Sequence, residues 1–259
     1  MSRNKKTLPI KTNLTHLLSI GLFARVVPKT LIDESLAMTN RGSQRIRLFP
    51  ASAVVYFVMA MSMFREPPLE EIVRIFSEST QHLARQTSNL QLPGKAAISQ
   101  ARIKMGSEPM RLIADKVLKP IATANFQGAW YKGMRLMSVD VTCFDMPDEA
   151  ENASYFGCPS CSRGQKAFPQ ARVLALVETG THVITAAEIA PYGISEQAMT
   201  KKLIERGKLT QDMLLLADRN FVGYRLWSAA DDTGAKLVWR AEISDNLPMI
   251  DVLPDGSFT

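Results

Sequence analysis

Met137-Ser138-Val139-Asp140-Val141-Thr142 reads as a β-strand with one carboxylate set into it. A second run, Met213-Leu214-Leu215-Leu216-Ala217-Asp218-Arg219, is wholly apolar until it ends on another aspartate. Short apolar runs of this length, rich in β-formers and bounded by turn residues, read as buried strands. An ionised carboxylate is costly to desolvate in a strand core. One placed there calls for a partner, and a divalent metal ion is a candidate. The bland alternative is that each aspartate ends its strand and caps the next turn.

The residues around these two runs predict a mixed sheet. Arg135 to Phe144 is a strand, and Asp145 to Pro169 is polar and irregular. Arg172 to Glu178 and His182 to Ile189 are β-rich and flank Thr179-Gly180-Thr181, the pattern of a hairpin. Ser195 can cap a helix running to Arg206. Met213 to Ala217 is the next strand, Val222 to Asp232 a helix, and Ala235 to Arg240 a further strand. Three antiparallel-leaning strands followed by strand–helix units resemble the ribonuclease H-like fold, in which the first strand lies centrally beside the fourth. That topology would bring Asp140 and Asp218 onto adjacent strands.

Before residue 133 the periodicity is helical. Leu14 to Leu22 and Lys29 to Met38 read as short amphipathic helices, and Arg41 to Arg47 as a basic loop. Leu48 to Phe64 is the longest apolar stretch. It contains Pro50, Ser52 and Ser62, stops at Arg65 and falls short of a bilayer span, so a buried core helix is expected, halted by Pro67-Pro68. Leu69, Ile72, Val73 and Phe76 share one helix face. After Leu92-Pro93-Gly94, the segment Lys95 to Met105 sets Ala97, Ile98, Ala101 and Met105 on one side and Gln100, Arg102 and Lys104 on the other; Gly106 ends it, and Glu108 to Ala124 comes next as another helix. Helix, break and second helix could form a helix-turn-helix offering Gln100, Arg102 and Lys104 to DNA, although phosphate contact needs only charge and reach.

Charge separates along the same line. The 259 residues carry a net +6. Residues 1–133 hold 19 Lys and Arg against 8 Asp and Glu, a balance of +11, whereas residues 134–259 hold 12 against 17, a balance of −5. A basic front half is the footprint of a polyanion binder. Two domains are therefore expected, a basic helical domain over 1–133 suited to DNA and a domain over 134–259 whose acidic balance and aspartates suit a divalent cation; the bland alternative is solvated surface charge. Three cysteines do not make a disulfide framework, and no apolar segment with a cleavage site comes after the basic start, so a cytoplasmic setting is expected.

Several motifs then carry a resemblance to a known family. Ala97-Ile98-Ser99-Gln100-Ala101-Arg102 is similar to a serine-containing basic helix. Asp140-Val141-Thr142 with Asp145-Met146-Pro147-Asp148 and Phe156-Gly157, then Phe168-Pro169-Gln170-Ala171-Arg172, resemble a first catalytic-aspartate segment and its adjoining strand. Ala217-Asp218-Arg219-Asn220-Phe221 resembles a second such segment. Leu226-Trp227 to Trp239-Arg240, ending in Val252 to Gly256, is similar to the stretch downstream of that second aspartate. Together they resemble a DDE transposase of the insertion sequence 4 group over nearly the whole chain. The resemblance implies double-stranded DNA as partner (element ends and target), synapsis as at least a homodimer, a nucleoid-associated location and no membrane. It implies catalysis by Asp140 and Asp218 as ligands of Mg(II), with Mn(II) as substitute, and DNA contacts from Arg41, Arg45, Arg47, Gln100, Arg102, Lys104 and Arg219.

The departures are specific. Val141 and Asn220 stand where the family favours Gly. The family's third acid, a Glu on a later helix, has no counterpart, and Glu242 lies too near the last strand to supply it. The expected fold is therefore α/β, an all-helical domain followed by an incomplete ribonuclease H-like mixed sheet with helices, truncated before the third acid. Poor or absent catalysis by this polypeptide alone is expected, with a truncated DNA-binding regulator or a transposase gene remnant as alternatives. Cys158 and Cys161 form a C-x-x-C in a polar loop, but without a second pair, zinc would need Cys143 and His182, and a plain loop thiol pair is the simpler reading. Arg219 could face a phosphate or make a surface salt bridge.

Overall fold

The computed structural model describes residues 23–43, 49–64, 68–69, 71–76, 94–160, 167–242 and 251–255. The chain divides into two compact units, Met1–Val117 and Leu118–Thr259, so the break precedes the change in sequence character at residue 133.

The first unit is helical. Helix α1 (Lys29–Met38) begins after Pro28, whose fixed φ of −64° suits the position before a helix. Helix α2 (Ala51–Met63) begins after Pro50 in the same way, and its first N–H is satisfied by Ser43 Oγ at 2.8 Å. At 13 residues α2 spans about 20 Å at 1.5 Å per residue, well under a bilayer core. No described helix is long and apolar enough to cross a membrane. Its Phe57 is fully buried and meets Phe49 and Phe76 edge-on, with ring centroids 5.6 Å and 5.9 Å away. Phe76 lies in a helical stretch over residues 71–76 that also buries Ile72, Val73 and Ile75. Tyr56 packs at the edge of this cluster and donates its hydroxyl to Val27 O at 2.7 Å. Helix α3 (Lys95–Met105) ends at Gly106, whose φ of +68° is left-handed. Helix α4 (Glu108–Val117) stops short of the expected Ala124, because Pro120 disfavours helical backbone at Lys119. The expected helix over Leu14–Leu22 lies outside the described residues.

The second unit is one mixed sheet. Its strands are β1 (Trp130–Tyr131), β2 (Met134–Asp145), β3 (Gln170–Glu178), β4 (Val183–Pro191), β5 (Met213–Ala217) and β6 (Lys236–Trp239). The order is β4-β3-β2-β5-β6, with β1 paired to the start of β2. Strands β2, β3 and β4 run antiparallel, and β5 and β6 lie parallel to β2. Apart from the short β1, the first long strand is thus central beside the fourth, as the ribonuclease H-like resemblance requires. A short helix α5 (Ala150–Phe156) interrupts the loop expected to be irregular; it buries none of its residues, so it leaves no apolar stripe in the sequence. Ser195 caps α6 (Glu196–Glu205) by accepting from Ala198 N at 3.2 Å. A 3₁₀ turn (Arg219–Phe221) and α7 (Tyr224–Asp231) come after β5.

Alternation along the strands divides the sheet into two faces. Met137, Val139, Leu174, Leu176, Met213 and Leu215 point to one face, where Met199 and Leu203 of α6 and Leu226 and Ala230 of α7 close the core.

Glu178, at the end of β3, is wholly buried and is held by an unusual concentration of donors. Its carboxylate accepts from Ala122 N at 2.9 Å, Ile121 N at 3.1 Å, Thr181 Oγ1 and the Arg135 guanidinium. Arg135 in turn lies over the Trp130 ring at 4.4 Å. Burial pushes the Glu178 carboxyl up, but the hydrogen bonds from Thr181, Ala122, Ile121 and Arg135 outweigh it and hold the pKa below its ordinary value. Beside this cluster, a Cβ on Gly180 would sit 2.5 Å from Ala129 N, so the hairpin tip has room only for glycine.

Glu178→Gln keeps the shape but leaves Arg135 without its counter-charge, and it should destabilise the sheet unit by about 3–5 kcal/mol. All three tryptophans, Trp130, Trp227 and Trp239, lie in this unit, so tryptophan emission during urea unfolding reads the loss. Because the folded pKa is depressed, the unfolded chain binds the proton more readily. The contribution is present above the unfolded pKa of about 4.3 and is lost as pH falls through the lower folded value. Glu178→Gln should remove that acid-side loss. Gly180→Ala should lower stability in the same assay by about 1–3 kcal/mol, through overpacking.

Candidate functional site

The pairing of β2 with β5 aligns Arg135, Leu136, Met137 and Ser138 with Met213, Leu214, Leu215 and Leu216. Continued two residues further, that register sets Asp140 beside Asp218. Adjacent strands lie about 4.8 Å apart, so two carboxylates far apart in sequence become neighbours. Asp218 stands just past the carboxyl end of β5, whereas Asp140 lies within β2, which runs on to Asp145. On the other side of β2 the pairing turns antiparallel, Asp140 facing Ala175 of β3. Ligands of open α/β sheets bind at such a reversal, outside the carboxyl ends of the strands.

The local geometry corrects one expectation. Both aspartates are exposed, not buried in strand cores. Their neighbours Val139, Val141 and Ala217 face the core, and alternation turns Asp140 and Asp218 to the opposite face. The desolvation argument for a metal partner therefore fails, and the case rests on proximity. Asp218 does cap its turn: its Oδ1 accepts from Arg219 N at 2.7 Å, at the start of the 3₁₀ turn. Asp140 Oδ1 accepts from Val141 N at 2.8 Å. One oxygen of each carboxylate is occupied locally, and the second is directed to no partner among the described residues. Hard oxygen donors of this kind fit Mg(II) or Mn(II). They would supply two protein ligands, and no group of three His, Cys, Asp or Glu side chains able to hold a metal occurs among the described residues.

The remaining candidates are scattered. Arg219 Nη1 lies 3.1 Å from Glu242 Oε1, both half-exposed, so the salt-bridge alternative describes its contact. On α3, Ile98 and Met105 are buried, and Gln100, Arg102 and Lys104 are exposed; Gln100 and Lys104, four residues apart, share a side, and Arg102 does not lie on it. Ala97, expected with the buried set, is exposed. Arg41 Nη1 donates to Lys104 O at 3.0 Å, tying the start of the basic loop to the end of α3. Arg45, Arg47 and Cys161 lie outside the described residues, as does the break before α3. Cys143 is exposed and Cys158 partly buried; His182 is exposed in the hairpin turn at a left-handed φ of +58°. Glu178 was not anticipated from sequence, since nothing there separates a buried glutamate at a strand end from an exposed one.

An all-helical unit is followed by a mixed sheet whose strand order fits the ribonuclease H-like resemblance. Residues 17–114 match the model of the insertion element 4 transposase N-terminal domain. InsZ of Escherichia coli (strain K12), a candidate transposase, is 24% identical over 222 residues, covering 85% of this chain and 71% of that protein. Transposase InsG for insertion sequence element IS4, from the same strain, is 26% identical over 215 residues, covering 81% of this chain and 45% of that protein. The crystal structure of a pre-cleavage Mos1 transpososome aligns over 85% of this chain and 79% of that one, at 9% identity and a TM-score of 0.27, too slight a likeness to argue from. The chain is thus similar to transposases of the insertion sequence 4 group, through its N-terminal domain and over most of its length.

Exposed ion pairs contribute little to stability. Arg219→Ala should therefore change the unfolding free energy of the sheet unit by less than about 1 kcal/mol. A larger loss by urea titration would mean that Arg219 holds the turn after Asp218.

Proposed function

We propose that this chain acts in DNA transposition, its helical unit binding element ends and its sheet unit presenting Asp140 and Asp218 as ligands of Mg(II) or Mn(II). The observation that carries this reading is the register of β2 and β5, which brings the two aspartates side by side on the face turned away from the core. The family match over residues 17–114 supports DNA as the partner of the first unit. Exposed Arg102 and Lys104 of α3, with Arg41 bound to its last turn, offer basic groups for phosphates. Domain roles are assigned accordingly, the first unit to binding and the second to phosphodiester chemistry. When bound, divalent cations would promote ionisation of the attacking water or 3′-hydroxyl and offset charge at the phosphodiester. Asp140 and Asp218 hold and orient that charge, and the complete protein works as a homodimer on DNA, at the nucleoid.

A second reading has its own support: no third acid joins Asp140 and Asp218 among the described residues. On that reading the chain occupies element ends without cutting them and regulates intact transposase.

Duplex affinity should fall steeply with salt, log K against log salt sloping by about −0.9 for each phosphate neutralised. Asp140→Asn and Asp218→Asn should each weaken Mn(II) binding while leaving metal-free duplex binding unchanged. A salt-insensitive affinity would remove DNA as partner. Inhibition of an intact family transposase on end-bearing DNA, with no strand cleavage by this chain, would establish the regulator.

A further inference from the structure

Arg240 stands in line with the two aspartates. Its backbone N–H donates to Ala217 O at 3.0 Å, carrying the β5/β6 pairing one step past Ala217 and Trp239. That step sets Arg240 beside Asp218, as Asp218 is set beside Asp140. Val139, Ala217 and Trp239, the residues just before these three, all belong to the core face. Asp140, Asp218 and Arg240 therefore occupy one row across three parallel strands on the opposite face, and all three are exposed.

The row has a charge logic. Two carboxylates attract a cation but repel a phosphodiester. A guanidinium on the next strand, roughly 4.8 Å further on, offers a planar fork of donors suited to phosphate oxygens. Arg219 is the other nearby cation, and it is engaged by Glu242. Among the described residues the Arg240 side chain makes no hydrogen bond or ion pair, so its fork is open to a ligand.

We propose that Arg240 is a phosphate-binding residue: it takes the non-bridging oxygens of the DNA phosphate presented to the Asp140–Asp218 pair. The inference rests on the reading of that pair as a divalent-cation site. Arg240 holds the anion from one side while the cation neutralises it from the other, so metal and DNA reinforce each other's binding.

The test uses the full chain and two readouts: Mn(II) binding followed by electron paramagnetic resonance, and anisotropy of a short labelled duplex with and without Mn(II). Arg240→Ala should bind Mn(II) at least as tightly as the parent, since a neighbouring positive charge is removed. Its Mn(II)-dependent gain in duplex affinity should fall about tenfold, or 1.4 kcal/mol. Arg240→Lys should restore part of that gain as a point charge. If the parent shows the gain and Arg240→Ala retains it in full, the proposal is overturned while the carboxylate site stands. If the parent shows no Mn(II)-dependent gain and Asp140→Asn binds Mn(II) as the parent does, the carboxylate site is overturned and the proposal with it.

Discussion

The sheet unit depends on one buried carboxylate. Glu178 lies at the end of β3 and binds two backbone N–H groups of the segment leading into the sheet, a threonine of the hairpin turn and an arginine of the central strand. Four pieces of chain meet at one pair of oxygen atoms. A buried ion pair is seldom worth its desolvation cost when isolated, and is favourable only when further hydrogen bonds satisfy both partners. Here the backbone donors of Ile121 and Ala122 provide that satisfaction, and Trp130 covers the guanidinium. The cluster also aligns β3 against β2, and β2 is the strand that carries Asp140. Register matters because a slip of one residue would turn every side chain of β2 to the other face.

Much of this was legible in the sequence, for identifiable reasons. The apolar runs ending on aspartates read as strands because their length and composition leave no other stable solution. Ser195 read as a cap because its hydroxyl can reach a free helix N–H. The helix through Phe57 read as core and not membrane because prolines bound it and its length is too small. What escaped reading depends on the covering of surfaces. Periodicity states which residues share a face but not whether a second layer buries that face, and so the aspartates were expected in a core they do not occupy. Helix α5 escaped because it buries nothing, and the shortened end of α4 because proline acts one residue upstream of itself. Glu178 and Arg240 escaped because the groups set beside them lie far away in sequence.

The two units divide the physical work. The helical unit packs Phe49, Phe57 and Phe76 edge to edge and leaves Gln100, Arg102 and Lys104 of α3 exposed, with Arg41 fastened to that helix at Lys104 O. The sheet unit uses one face for packing and keeps its acids and Arg240 on the other. Stability and chemistry are thus assigned to alternate residues of the same strands. Val139 and Ala217 hold the core, while Asp140 and Asp218, one position later, meet solvent.

That alternation bears on how such a protein changes over generations. When reactive groups are buried in a core, their loss collapses the fold, and selection for foldability preserves the chemistry as a by-product. Exposed acids enjoy no such protection. Any one of them can drift to a neutral residue while the β2–β5 pairing, the hairpin and the α6–α7 layer persist, so the fold can outlast its carboxylates.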